Sequence, residues 1–517
     1  MARKTKKAPS AEPKASPVAV GDASVDMRGG LVAGVTIPAS LLLPHISRKE
    51  EEEEEYERSD DEPIRILLLC NYDPTNAATV CDHINAFYKY SKHAVTVASR
   101  IGALPDELDF NRFDVIIVHY SVFIAIDAYV TPATRQRLGK FEGLKVLFIQ
   151  DEYRFVDRTI DAINEAGIDI VFTCVPTPEI PKVYPPERFS KTKFINVLTG
   201  YVPEGLKLFQ PKPLADRRFD VGYRGRVYPA WHGEAGREKY EIGQNFLRDS
   251  RGFGLKCNIR WDEESRVYGL DWVNFMRDCR AVLAVESGAS VFDFDGWVSA
   301  RTETFAKVLG LGEKQSRNVK RMLAGRGVYA RKSDDRALYE DLRQRFFAEK
   351  ENLIDLAQLS PRVFEAATLQ TLLVMYEGQY SGAFEPWRHY VPLKKDHSNM
   401  AQVVEVLKDP IASATIIANC YAEVCENRKY AYSTFIQQFD QIILDAFDVE
   451  KRSEEEPYAK DDMQKMLPFY FFDNPHALMR PKVGGSLSNP VFWLKAMLNR
   501  GDSRRHLAQK LRKIIEG

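Results

Sequence analysis

From Ile64 onward the chain repeats one hydropathy pattern: a short, nearly unbroken apolar run, an amphipathic segment, then another run. The runs are "IRILLLC", "HAVTVAS", "FDVIIVHYS", "LKVLFIQDEY" and "IDIVFTCV", with segments such as "AATVCDHINAFYKYS" and "RTIDAINEAG" between them. Val, Ile and Leu in continuous runs are apolar toward both faces. For strands this means a parallel sheet covered by helices on each side. "FINVLTGYVP" ends this unit near Pro203, and "EGLKLFQPKPLADRR" reads as a linker. The alternation then restarts with the strand candidates "FDVGYRG", "LKCNI", "RAVLAVES" and "LLVMYEG". Among them lie the helical segments "REKYEIGQNFLRDS" and "DWVNFMRDC", a charged helical stretch over about 300–350, and "SPRVFEAA". The unit closes with the helices "MAQVVEVLKDP", "IASATIIANCYAEVCENR" and "AYSTFIQQFDQIILDAF". The expectation is an α/β protein of two doubly wound units. Each binds ligands beyond the carboxyl ends of its strands, and a cleft lies where the two face each other.

A length of 517 residues agrees with two such units plus extensions. The expected divisions are a disordered tail over 1–62, a first α/β domain over 63–205, a second over 206–447 and a helical extension over 448–517. The tail opens with Lys, Ala and Pro and ends in "RKEEEEEEYERSDDE", too polar to offset its ordering entropy. It is interrupted by one apolar patch, "LVAGVTIPASLLLP". A net charge of −1 gives no basic field for nucleic acid. The seven cysteines are scattered without a CxxC pair, which fits reduced, buried thiols rather than a disulfide framework or a zinc site. No apolar stretch is long enough to span a bilayer, and the basic start lacks the apolar core of a signal peptide. The terminal "RRHLAQKLRKIIEG" is a basic amphipathic helix, suited either to packing on the body or to contact with an anionic membrane surface.

The order and spacing of "DVIIVHYS", "QDEYR", "LTGYVP", "DVGYRGR", "CRAVLAVESGASVFDFDG", "SPRVFEAA", "YEGQYSG" and "HYVPLKKDHSN", over about residues 64–440, resemble GT-B glycosyltransferases. The nearer resemblance is to the family 1-like proteins of bacterial surface-polysaccharide clusters. It implies two tandem Rossmann-like domains, the first for the acceptor and the second for a nucleotide diphosphate sugar. That sugar is a substrate; no cofactor or metal is implied. The partners are a nucleotide sugar and a glycan or lipid-linked acceptor, not nucleic acid, with the protein in the cytoplasm or peripheral at the inner membrane face.

The resemblance also assigns residues. The N-terminus of the "SPRVFEAA" helix suits a diphosphate, with Arg362 adding a fork of donors and Glu365 accepting from ribose hydroxyls. Without the resemblance, the same pair is a solvated first turn. Arg224 and Arg226 follow the first strand of the second domain, where a donor phosphate ligand is common, and Lys239 is a second candidate. Glu286, beside the close-approach Gly288, and Glu377, at the end of the next strand run, complete the donor set. On the acceptor side, His119 ends its strand as a general base or acceptor ligand, and Asp151 and Glu152 offer a carboxylate for the acceptor proton. Those two alternatively pair with Arg154 or Arg158. Asn71 and Thr75 border the first loop; His389, Lys394 and Asp396 border the donor. Glu377 and Glu385 make a literal Glu-x7-Glu, but the helix-then-strand context of the retaining signature belongs to Glu365, and Ala357 stands eight residues before it. Asp293 and Asp295 in "FDFDG" mimic a metal-binding DxD; they read as capping carboxylates. Rival functions are a nucleotide-sugar epimerase of the same architecture and a non-catalytic surface or spore-coat protein. The linkers near 204–217 and 425–447 are the expected hinge for domain closure.

Overall fold

The computed structural model describes residues 63–73, 78–308 and 334–467, together with the short strands Gly30–Val32 (β1), Val35–Ile37 (β2) and Tyr470–Phe471 (β14). Strands β1 and β2 pair antiparallel as a small ribbon that belongs to a different unit from Ser59–Pro481. Part of the apolar patch of the expected tail, Leu31–Val32 and Val35–Ile37, is therefore paired strand.

Within Ser59–Pro481 stand two parallel sheets. The first holds Arg65–Cys70 (β3), Ala94–Ser99 (β4), Val115–Val118 (β5), Leu144–Ile149 (β6), Ile170–Thr173 (β7) and Lys193–Asn196 (β8), in the order β14-β4-β3-β5-β6-β7-β8. All neighbours are parallel except the edge strand β14. The second holds Phe219–Arg224 (β9), Cys257–Arg260 (β10), Cys279–Ala284 (β11), Leu372–Tyr376 (β12) and Val391–Leu393 (β13), in the order β10-β9-β11-β12-β13. All its pairs are parallel. Every apolar run named above is a strand. In each sheet the strand order reverses once, between β3 and β5 and between β9 and β11, and those reversals are where a crevice opens.

Two tandem α/β sheets facing a shared cleft are the GT-B arrangement. Three covalent segments join the halves. Residues 197–218 lead from β8 to β9. The Tyr432–Ala446 helix returns to the first half, where Ser91 Oγ donates to Asp440 at 2.7 Å and Phe435, Ile436 and Phe439 pack under β3 and β6. The third tie corrects the expectation that only two linkers connect the units. The described residues 287–308 and 334–359, inserted between β11 and the Pro361–Thr368 helix, share one core with the first sheet. Val291, Phe292, Val298, Tyr339, Leu342 and Leu356 are buried with Leu67, Ile116, Leu147 and Val171. The insert is also hydrogen-bonded there: Phe155 N–H donates to Asp293 O at 2.9 Å, and Thr199 Oγ1 donates to Leu359 O at 2.7 Å.

The extension likewise belongs to the first half. Tyr458, Met463 and Leu467 pack into the same core, and β14 extends the sheet. The basic segment 504–517 lies outside the described residues. Among the described residues no helix is long and apolar enough to cross a membrane.

Candidate active site

The second sheet brings its free cations to the crevice between β9 and β11. Arg226 lies two residues past β9. Its guanidinium stands over the Tyr228 ring at 5.4 Å and makes no hydrogen bond among the described residues; its Nε is buried without a partner. Lys239, on the Gly233–Asp249 helix, reaches the same place: its Nζ donates to Gly288 O at 2.8 Å and lies 4.4 Å from the Tyr228 ring centre. Burial lowers its pKa, and both Asp151 and Arg362 are within electrostatic range. Gly288 has φ +101, and a Cβ there would collide with Leu356 O; only glycine lets the carbonyl sit under Lys239 this way.

The Pro361–Thr368 helix supplies the rest. Pro361 occupies its first turn and Ser360 its N-cap position, but the Ser360 side chain makes no cap hydrogen bond. The N-terminal N–H groups therefore lack side-chain satisfaction. Arg362 is exposed, donates from Nη1 to Arg224 O at 2.7 Å and lies 5.3 Å over Trp272. Glu365 is buried, and its Oε2 accepts from Trp272 Nε1–H at 2.7 Å. Its other oxygen has no donor among the described residues. Burial pushes its carboxyl pKa up, against the opposing Trp272 bond and Arg362 charge.

The first half contributes two carboxylates. Asp151 ends β6, is exposed, and holds φ 59, a left-handed backbone uncommon for a non-glycine residue. Tyr153 donates its hydroxyl to Asp151 Oδ1 at 3.1 Å. Asp82, on the Ala78–Tyr90 helix, lies within electrostatic range of Glu365: burial first and the Glu365 charge second raise its pKa from the usual carboxylate range to about 7. The approach of the two helices is set by sterics. A Cβ on Gly200 would lie 3.1 Å from Pro361 Cγ and 3.2 Å from Thr79 Cγ2, so the first turns of the two helices close over this glycine. Asp82 and Glu365 each stand one turn further in.

Several expected site residues are occupied elsewhere. His119 is fully buried. Its Nδ1 accepts from Ser121 N–H at 3.0 Å, which leaves the proton on Nε2, 2.9 Å from His83 Nδ1. Burial holds both imidazoles neutral: His83 is lowered to about 3 and His119 well below its ordinary value. With no nitrogen free and no exposure, His119 is not placed to act as a base. It braces the first loop instead, because Ser121 Oγ accepts from Asn71 N–H at 2.8 Å. Thr75 lies outside the described residues.

Glu152 is buried and accepts from Cys174 N–H at 2.7 Å and from the hydroxyls of Thr173 and Tyr184. Burial raises its pKa to about 7. It ties the end of β7, not an acceptor. Arg224 turns back along the sheet, with Nη1 on Tyr223 O and Asn258 O and Nη2 on Asn258 Oδ1, its plane 4.0 Å over Phe275.

Glu286 accepts the Gln379 and Tyr380 N–H groups at 2.9 and 2.8 Å, and a Cβ on Gly378 would lie 2.7 Å from its carboxyl carbon. One of its oxygens is thus spent on the loop after β12, and burial raises its pKa. Glu377 is exposed beside that loop, with no side-chain partner among the described residues. His389 bonds Glu423 at 2.9 Å, while Lys394 and Asp396 are exposed on the turn after β13. Asp293 accepts Val298 and Ser299 N–H at 2.9 and 3.0 Å, and Asp295 accepts Trp297 N–H at 2.8 Å. Both Asp residues cap the Trp297–Val308 helix, as the sequence suggested.

Three cleft residues escaped the sequence: Asp82, Tyr228 and Trp272. Trp272 sits in "DWVNFMRDC", where an aromatic at helical spacing looks like ordinary core. Asp82 looks like the polar face of an amphipathic helix. Only the helix-to-helix contact over Gly200 exposes its role.

No family model matches this chain, and no curated protein matches it. Solved structures do align with it. An alpha-glucosyltransferase in complex with UDP is 10% identical over 74% of this chain and all of its own, with TM-score 0.44. Anabaena HepE in complex with UDP-glucose is 12% identical over 74% of this chain and all of its own, with TM-score 0.40. TarM is 8% identical over 64% of this chain, with TM-score 0.33, and the match spans about half of TarM's length, 54%. At such identity the side chains of the cleft, not the relatives, must say what it binds.

Proposed function

We propose that the protein is a glycosyltransferase that moves a hexosyl group from a nucleotide diphosphate sugar to a glycan or lipid-linked acceptor in surface-polysaccharide synthesis. It would do so in the cytoplasm or at the inner membrane face. One observation carries this: three cations, Arg226, Lys239 and Arg362, converge beside the uncapped helix that holds Glu365, at the strand-order reversal of the second sheet. Cations at a helix N-terminus match a diphosphate. The unbonded oxygen of Glu365 matches a ribose hydroxyl, with Trp272 fixing the carboxylate's orientation.

In the transfer, an acceptor hydroxyl oxygen bonds the anomeric carbon and the bond from that carbon to phosphate oxygen breaks. The nucleotide diphosphate leaves, its charge held by the three cations. Asp151, exposed within electrostatic range of Lys239, is the first-half carboxylate placed to receive the hydroxyl proton. Residues 63–205 would then serve the acceptor and 206–447 the donor.

The test is a melting-curve panel with UDP, UDP-glucose and other nucleotide sugars, since a ligand that binds only the native state raises its stability. A rise with at least one nucleotide diphosphate, followed by donor hydrolysis or transfer, is expected. Interconversion of the sugar without acceptor would instead mark an epimerase. No rise with any nucleotide at millimolar concentration overturns the reading.

A further inference from the structure

The loop that follows β6 holds an exposed cation with no ion pair among the described residues. Arg154 lies three residues past Asp151 and is exposed. Its guanidinium carbon stands 4.3 Å from the Phe155 ring centre and 5.0 Å from that of Trp231. It forms no ion pair and no side-chain hydrogen bond among the described residues. Its backbone is fixed: Asp293 N–H donates to Tyr153 O at 2.8 Å, Phe155 N–H to Asp293 O at 2.9 Å, and Asp157 N–H to Phe294 O at 3.0 Å. Phe155, like Asp151, has a left-handed backbone, with φ 56. A guanidinium stacked on aromatic faces keeps its N–H edge free for in-plane donation. Arg154 also belongs to the field of the cleft, since it acts on His232 together with Lys239 and Arg226.

We propose that Arg154 is a specificity-determining residue that binds an oxyanion, phosphate or carboxylate, carried by the acceptor near the hydroxyl presented to Asp151. The inference rests on the glycosyltransferase reading for the word acceptor, but not for the anion site itself. Arg226, Lys239 and Arg362 lie on the second half and suffice for a diphosphate. Arg154 lies on the first half, on the loop that carries Asp151, so an anion there approaches from the acceptor side. A preorganised guanidinium with no protein partner loses little freedom when it binds one.

Methyl phosphate and, separately, acetate would be titrated by NMR into the full chain, alone and saturated with UDP. The parent is expected to bind one of them with UDP in place. Arg154→Ala should weaken that binding about tenfold or more, and Arg154→Lys should restore part of it. The parent's anion affinity should fall with added salt while the residual affinity of Arg154→Ala barely changes. UDP affinity should stay within twofold in both variants, and melting curves check folding. A phosphate preference points to a phosphodiester or phospholipid-linked acceptor, an acetate preference to a uronate. Absence of anion binding over UDP in the parent, or unchanged binding in Arg154→Ala, overturns the proposal. If UDP does not bind, the donor reading fails separately, and Arg154-dependent anion binding to the protein alone still decides the site.

Discussion

The carboxyl edges of the two sheets carry similar inventories and use them differently. At the first edge, His119 and Glu152 have every polar atom engaged inside the half that holds them, while Asp151 and Arg154, on one loop, are turned outward. At the second edge, Arg226 and one oxygen of Glu365 have no hydrogen-bond partner among the described residues, and Arg362 spends a single donor on a backbone carbonyl. Unspent polar groups mark a place where something else completes the bonding, and spent ones mark scaffold. The second edge therefore offers the larger unspent set, and the first edge offers one loop.

The sharpest challenge to this contrast is Glu152→Ala. Removing a buried carboxyl that serves three donors should cost about 3 kcal/mol or more, seen as a lower denaturant midpoint. Intact stability with lost turnover would instead move Glu152 into the site. Next comes Glu365→Gln, which keeps shape but removes the charge proposed to accept from ribose. Affinity for UDP should drop about ten- to a hundredfold in calorimetric titration. Glu377→Gln should change it less; the reverse order would mean the literal Glu-x7-Glu marks the donor site.

Arg226→Ala should weaken UDP by about tenfold and leave uridine nearly unchanged, because its proposed partner is phosphate. An equal loss for both ligands would deny that assignment.

Asp82 gives a pH test. Its folded pKa of about 7 is raised above the ordinary 3.8, so the native state holds a proton that the unfolded chain has released. Its favourable contribution is fully present below about pH 4 and is lost as pH rises through 7. Asp82→Asn should therefore melt above the parent at pH 8, and the gap should close toward pH 4. A constant gap would mean that the Asp82 carboxyl is not held protonated by its burial in the folded chain. The smallest effect belongs to Asp295→Asn, whose exposed carboxylate caps Trp297 N–H with one oxygen, since asparagine caps helices nearly as well as aspartate. Stability should change by less than about 1 kcal/mol, and activity should persist in excess chelator. Loss of activity restored by manganese would turn a capping residue into a metal ligand.

The sequence was most informative where burial on both faces forces continuous apolar runs, as in β3, β5, β6, β7, β11 and β12. Strand β8 is half exposed, and its segment was read only as the end of the first unit. Strand β13 was not legible, because "HYVPLKK" offers three apolar residues around Pro392, and a proline reads as a break. The insert 287–359 was not legible as a tie either. Its apolar residues are as consistent with covering its own sheet as with covering the other. Donor candidates on a helix start, Arg362 and Glu365, could be read from local grammar. Whether Arg224, His119 or Glu286 spends its polar atoms on the protein depends on partners 34, 36 and more than 90 positions away. No local pattern encodes such distances.

The insert has a consequence for how the chain comes off the ribosome. The first sheet's parallel strands are complete by Asn196, yet part of the apolar cover for that sheet arrives with Val291 to Leu356, and more with Phe435 to Leu467. At about 5–20 residues per second, an emerging first half waits on the order of tens of seconds with uncovered apolar surface before its own core can close. This half cannot mature as an independent N-terminal module. Truncation after the linker should yield a client for chaperones rather than a domain, and the two halves become native together.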